Sequence, residues 1–211
     1  MFVLTIDQKG SRSSQDRVPE LLELLRPLGM ELPFERTVGD EAQAVVSSAD
    51  AVVDAALLAL RQGGWSVGIG VGTVGLPLPR SSREAGGAAF IAARTAVERA
   101  KKTGDRPPIA VAAAPDAGPS AAEAAAHAEA VLVLIARLVC GRSEAEWRIL
   151  EHVDPHKWGA QSAAARMLGV SSQAVSNAVQ RAGWQEEWAA RPAAAVLLER
   201  ADQAAADTPP R

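Results

Sequence analysis

The chain has 211 residues, enough for one large or two small domains with a real core. Apolar residues are 48% and charged residues 22%, which excludes wholesale disorder, and a net charge of −3 excludes a uniformly basic nucleic-acid or membrane coat. The single cysteine, Cys140, excludes an internal disulfide or a Cys-based zinc cluster and suits a reducing cytoplasm.

With aromatics at 4% and no Tyr, the core must be built mainly from Ala, Val and Leu. Met1 to Gly10 reaches Asp7 and Lys9 too early for a signal peptide. The longest strongly apolar run, Ala130 to Cys140, is interrupted by Arg137 and falls short of the roughly 20 residues that span a bilayer. A cytoplasmic protein with no membrane partner is expected.

Taken in chain order, Phe2–Ile6 is a buried-strand candidate, and a helix from about Arg17 to Leu28 carries a broad Leu stripe. Phe34–Val38 and Ala42–Val46 flank the turn Gly39-Asp40 and read as a hairpin. Ser47-Ser48 caps a helix that stops at Gly63-Gly64. Trp65–Val74 alternates Val67, Ile69 and Val71 with Gly68, Gly70 and Gly72, the mark of a strand that something approaches closely. Gly86-Gly87 opens a helix to about Lys102, and Ile109–Ala113 is a last short strand.

The expected fold is α+β: a ferredoxin-like sheet of βαββαβ plus αβ order over residues 1–114, with helices on one face. Residues 115–120 read as a linker. Residues 121–205 read as an all-α domain, with helices at about 121–140, 143–152, 160–168, 171–182 and 192–205. Residues 206–211 read as a frayed tail.

The most specific pattern lies in Ser162–Val179. A helix ends at Gly169, Val170 plugs the turn, and Ser171 caps a second helix whose Val175 and Val179 point inward. Small Ala164 and Ala165 let the two helices approach. Across about residues 146–184 this resembles the helix-turn-helix of bacterial transcription factors, whose second helix enters the major groove. Ser171, Ser172, Gln173, Ser176, Asn177, Gln180 and Arg181 are then the exposed groups suited to base edges and phosphates. Lys157 and Arg166 join Arg181 in a stretch, Pro155 to Gln185, that holds no acid. So few cations point to weak, salt-sensitive monomer binding and to a homodimer on double-stranded DNA. Trp147, Trp158 and Trp184 are expected to form the core of this unit.

Asp7 sits just past the first strand and Asp40 in the hairpin turn. If the two meet at one sheet edge, a cation is needed between them, and Mg²⁺ with phosphate fits; Lys9, Gly10 and Ser11 could meet that phosphate. The Asp-x-x-Gly-Ser-Arg start, the Gly-Asp-Glu hairpin, Gly68–Gly72 and the following helix, in that order, resemble the SatD family. More distantly they are similar to the palm domain of class III nucleotidyl cyclases and diguanylate cyclases, over about residues 1–113. The resemblance implies metal ligation by Asp7 and Asp40 and phosphate stabilisation by Arg94. Phe90 stands where the cyclases carry a catalytic asparagine, which removes a transition-state contact. Three readings follow: a transcriptional regulator whose degenerate palm dimerises and senses a nucleotide; an active Mg²⁺-dependent nucleotidyl cyclase or other phosphotransfer enzyme with an accessory helical domain; and an oligomeric scaffold that binds no small molecule.

Overall fold

A computed structural model describes residues 1–11 and 15–208. Arg12 of the first motif and the tail beyond Thr208 lie outside the described residues; of the tail expected to fray from 206, Ala206 ends the last helix. The chain order is β1 (Phe2–Gln8), α1 (Val18–Leu25), β2 (Leu32–Arg36), β3 (Glu41–Val46), α2 (Ala49–Arg61), β4 (Trp65–Val71), α3 (Ala88–Ala100) and β5 (Ile109–Ala113). Helices α4 (Gly118–Gly141), α5 (Glu144–Leu150), α6 (Ala160–Leu168), α7 (Ser172–Arg181) and α8 (Trp184–Ala206) follow.

The architecture is mixed α+β, with one five-stranded sheet in the order β2-β3-β1-β4-β5. β1 runs antiparallel to both β3 and β4, which places Thr5 opposite Gln43 on one side and Gly68 on the other. β4 and β5 are parallel. A parallel pair needs a crossover connection, and α3 is that connection.

Helices cover both faces of the sheet, where one covered face was expected. Phe2, Leu4, Ile6, Val67 and Ile69 point into a large core with α1, α2, α4 and α8. On the opposite face, Val3 and Val45 pack against Ala89 and Ala93 of α3. Strands buried on both sides lose the polar alternation that marks a one-sided sheet, and β1 and β4 are buried at every residue.

Gly68 and Gly70 explain how α3 fits. A Cβ on Gly68 would lie 2.3 Å from the Val97 nitrogen, and one on Gly70 would lie 2.1 Å from the Ala89 carbonyl oxygen. The close approach read from the glycines is made by the Ala-rich face of α3 itself.

The long helices α4 and α8 bury Leu132, Ile135, Val139 and Leu198 in the same core as the sheet. The expected linker at 115–120 is a turn only over 115–117, and residues 118–120 already belong to α4, which packs on the sheet half. Thr208 donates to the Ala117 carbonyl at 2.8 Å and ties the end of α8 to the start of α4. A second small core of Leu150, Val153, Ala164, Val175 and Val179 belongs to α5–α7 and the start of α8. That three-helix unit is inserted between α4 and α8.

α8 starts at Trp184, eight residues before the expected start at 192, and carries Pro192 inside it. An interior proline costs a helix about 3 kcal/mol. Burial of Ala194, Ala195 and Leu198 beyond it, and of Trp184 before it, outweighs that cost. By length and composition α4 is the one described helix able to cross a membrane; here its buried side is part of the core.

Candidate nucleic-acid interface and candidate nucleotide site

The α6–turn–α7 segment is built by local chemistry. Gly169, at φ +67°, ends α6 in the left-handed conformation, where a Cβ would be strained. Ser171 then accepts from the Ala174 N–H at 3.1 Å, capping α7. Ala164 and Ala165 are buried where the helices meet, and Val175, Ala178 and Val179 face the small core.

The other side of α7 is free. Ser171, Ser172, Gln173, Asn177, Gln180 and Arg181 are exposed and Ser176 is half-buried. Gln173 donates to Asn177 at 2.8 Å, which aligns two amide side chains on one outward row. Arg181 lies 3.6 Å from Glu146 but remains 68% exposed, so it keeps its reach into solvent. Lys157 and Arg166 are exposed as well.

Two expectations fail here. Val170 does not plug the turn; it is exposed, because Gly169 already closes α6 and turns the chain outward. Trp158 is not core but 99% exposed, since it lies in the loop before α6 and not on a packed helix face. Trp184 is buried, and Trp147 meets its ring edge-on at 6.3 Å.

Sequence reasoning missed how the unit is fastened. Arg142, just after α4, donates through Nε to the Ala182 carbonyl at 2.9 Å, at the end of α7. It pairs with Glu187 of α8, both side chains being essentially buried, and its guanidinium lies 4.8 Å and 5.2 Å from the Trp147 and Trp184 rings. Arg191 bonds Glu187 at 3.0 Å and reaches Asp54 of α2 at 2.6 Å. Arg61 of α2 pairs with Glu151 just beyond α5. The signal for such a network, charged residues at helix ends beside Trp, is present in the sequence but does not name the partners.

At the sheet end, the hairpin turn is drawn to β1 by the Gln8 N–H, which donates to the Asp40 carbonyl at 3.2 Å. The register sets Asp7 opposite Glu41, with Asp40 beside it in the turn. Burial pushes the Asp7 carboxyl up, the Lys101 ammonium opposes this, and the charges of Asp40 and Glu41 add to the rise. Lys101 Nζ stands 2.9 Å from Asp7 Oδ1, and Arg94 stands 3.7 Å from Glu41. Arg94 and Glu98 of α3 and Lys101 just past its end follow one another at i, i+4 and i+7, so one face brings Arg94 to Glu41 and Lys101 to Asp7 and Glu98. The fully buried Ser66 hydroxyl, opposite Asp7 in the register, has no hydrogen-bond partner among the described residues.

No group of three or more His, Cys, Asp or Glu among the described residues could hold a metal ion, and the cation beside Asp7 is Lys101, which it shares with Glu98. Lys9 is not brought to Arg94: it lines a separate cavity of about 570 Å³, with Gly63, Gly64, Cys140 and Arg148, where the sheet meets α5. Gly10 forms a left-handed turn after β1, and Ser11 is half-buried beside it. Phe90 packs against the Val3 and Val45 cluster, so it fills apolar space in place of a polar contact.

Comparison with family models, with curated proteins and with solved structures yields no match.

Proposed function

We propose that the protein is a cytoplasmic DNA-binding transcriptional regulator acting as a homodimer. In this reading α6 and α7 form a helix-turn-helix, α7 lies in the major groove, and a cyclase-like palm forms the dimerising and nucleotide-sensing half. One observation carries the proposal: α7 buries Val175, Ala178 and Val179 while presenting Gln173, Asn177, Gln180 and Arg181 to solvent on a capped helix after a tight turn. Packing alone does not require that outward polar row. Asn and Gln fit the adenine edge, and Arg fits guanine or a phosphate. Lys157 and Arg166 supply positioning contacts to the backbone.

For the sheet half, the cations over Asp7 and Glu41 favour recognition of a nucleotide's phosphates over phosphotransfer. A catalytic Mg²⁺ would first have to displace Lys101 from Asp7. Arg94, 68% exposed, is the group offered to a phosphate.

Recovery of genomic fragments bound to the protein, followed by duplex titration, tests the DNA reading. Asn177→Ala should weaken a selected duplex by about 1–3 kcal/mol, roughly 5- to 150-fold, and relax preference at one base pair. Arg181→Ala should weaken it and, if it meets a phosphate, reduce the salt slope by about 1. Unchanged affinity in both variants across the salt series removes α7 from the interface.

A further inference from the structure

We infer that the outward face of α4 is the surface through which two copies of this chain associate, in an antiparallel α4–α4′ pairing centred on Ala130. The inference rests on the homodimer of the proposed regulator and moves its surface from the palm itself to α4, the helix packed against the palm. Its argument uses α4 and its neighbour α8 and stands whether or not α7 meets DNA.

The first observation is an excess of apolar surface where water should be. α4 is the most apolar long helix of the chain, yet only 39% of its most apolar 18-residue stretch is buried. Its inner side, with Leu132, Ile135 and Val139, fills the core. On its outer side the turns between Glu123 and Arg137 expose Ala126, His127, Ala130 and Leu134, the last at 68%. A solvent-facing helix side normally carries charges at such positions. The outward side of neighbouring α8 adds exposed Ala193 and Val196.

The second observation is charge. Glu123 and Arg137 are both exposed, and neither has an ion-pair or hydrogen-bond partner among the described residues. They lie on the same stripe as Ala130, one seven residues before it and the other seven after. At 1.5 Å rise they are about 21 Å apart along α4. An antiparallel copy centred on Ala130 sets Glu123 of each chain against Arg137 of the other. It also seats Leu134 over Ala126. The small side chain at the centre permits a close crossing, of about 8 Å between axes. A two-fold interface must be self-complementary in this way, since the same patch serves both partners.

Size agrees. α4 is about 36 Å long, and with α8 alongside at about 8–10 Å the outer surface is roughly 700 Å². A standard interface buries about 800 Å² per partner. Lipid would leave Glu123 and Arg137 unpaired at both ends, whereas a second copy pairs both.

The test is sedimentation or light scattering of the full chain over a concentration series. The wild type should run as a dimer, and Arg137→Glu should raise the dimer dissociation constant at least about tenfold by facing Glu with Glu twice. Leu134→Glu should do the same. The double swap Glu123→Arg with Arg137→Glu restores opposite charges and should recover the dimer. A wild type that stays monomeric at all concentrations overturns the inference. So does a dimer indifferent to Arg137→Glu and Leu134→Glu, or a double swap no better than the single one. Because these side chains lie in solvent, circular dichroism should show the variants folded. Loss of DNA binding with the dimer intact would strike the α7 reading and leave this one standing.

Discussion

Glu187→Gln should destabilise the protein by about 3 kcal/mol, at the lower end of the 3–5 kcal/mol seen when one partner of a buried ion pair is removed. The side chains of Arg142 and Glu187 are 1% and 0% exposed, which puts the pair in the buried regime. The lower end applies because Arg142 keeps the Ala182 carbonyl and two Trp faces, and Arg191 keeps Asp54. For a chain of this size about 2–4 °C accompanies each kcal/mol, so the melting temperature should drop by about 6–12 °C. Thermal and urea unfolding followed by circular dichroism measure it. The control is Glu23→Gln, which removes a pair 75% and 68% exposed and should change stability by no more than about 0.5 kcal/mol. Replacing both buried partners, Arg142→Met with Glu187→Leu, should recover most of the loss, because no charge is then left unpaired. A loss below about 1 kcal/mol for Glu187→Gln would refute the reasoning, since it would mean that water reaches the pair.

Two further outcomes follow from the sheet. Gly70→Ala should destabilise by at least about 1–3 kcal/mol, because its Cβ meets the Ala89 carbonyl at 2.1 Å and a helix backbone cannot step aside as a side chain can; Gly29→Ala, with nothing within 4 Å, should not, and equal melting curves would contradict the close packing of α3. Asp7→Asn should raise stability at neutral pH. The Asp7 carboxyl is pushed above its ordinary value chiefly by burial, so the folded state holds a proton more tightly than the unfolded one. The stability this contributes is complete below the unfolded pKa and is lost as pH rises through the folded one. Wild type and variant should therefore converge toward acid pH, and a variant less stable at neutral pH would show that the Lys101 bridge outweighs burial.

What could be read from the sequence was what is decided locally. Ser48 and Ser171 were legible as caps because a cap is a hydroxyl beside the N–H it receives, and Ser48 accepts from Ala51 as Ser171 does from Ala174. The order of strands and helices was legible because period-2 and period-3.6 patterns do not depend on partners. Gly68 and Gly70 announced a close approach but not what approached, which is a tertiary fact. The start expected at 192 misses the first turns of α8, because the packing that carries the helix through Pro192 lies on α2 and α4. Trp158 was expected in the core because amphipathic helices flank it, but the helical pattern does not say which way a residue in the intervening loop faces. Lys101 was invisible for the same reason: its partner Asp7 is 94 residues away.

The fastening of α5–α7 bears on how a signal could reach DNA in the proposed regulator. The unit enters from α4 and leaves into α8; Arg142 ties the end of α7 to the end of α4, Arg61–Glu151 ties the end of α5 to α2, and Arg191–Asp54 holds α8 on α2. It therefore moves with them and not on a free tether. In the proposed dimer the separation of the two α7 helices is then set by the α4–α4′ crossing, and half-site spacing is a readout of that crossing. A phosphate ligand held by Arg94 acts on DNA only insofar as it binds one crossing better than another, because a ligand indifferent to the two arrangements shifts neither. The path available is short: α3, which carries Arg94, also carries Arg99, and Arg99 bonds Glu129 of α4 at 2.6 Å, one residue from Ala130.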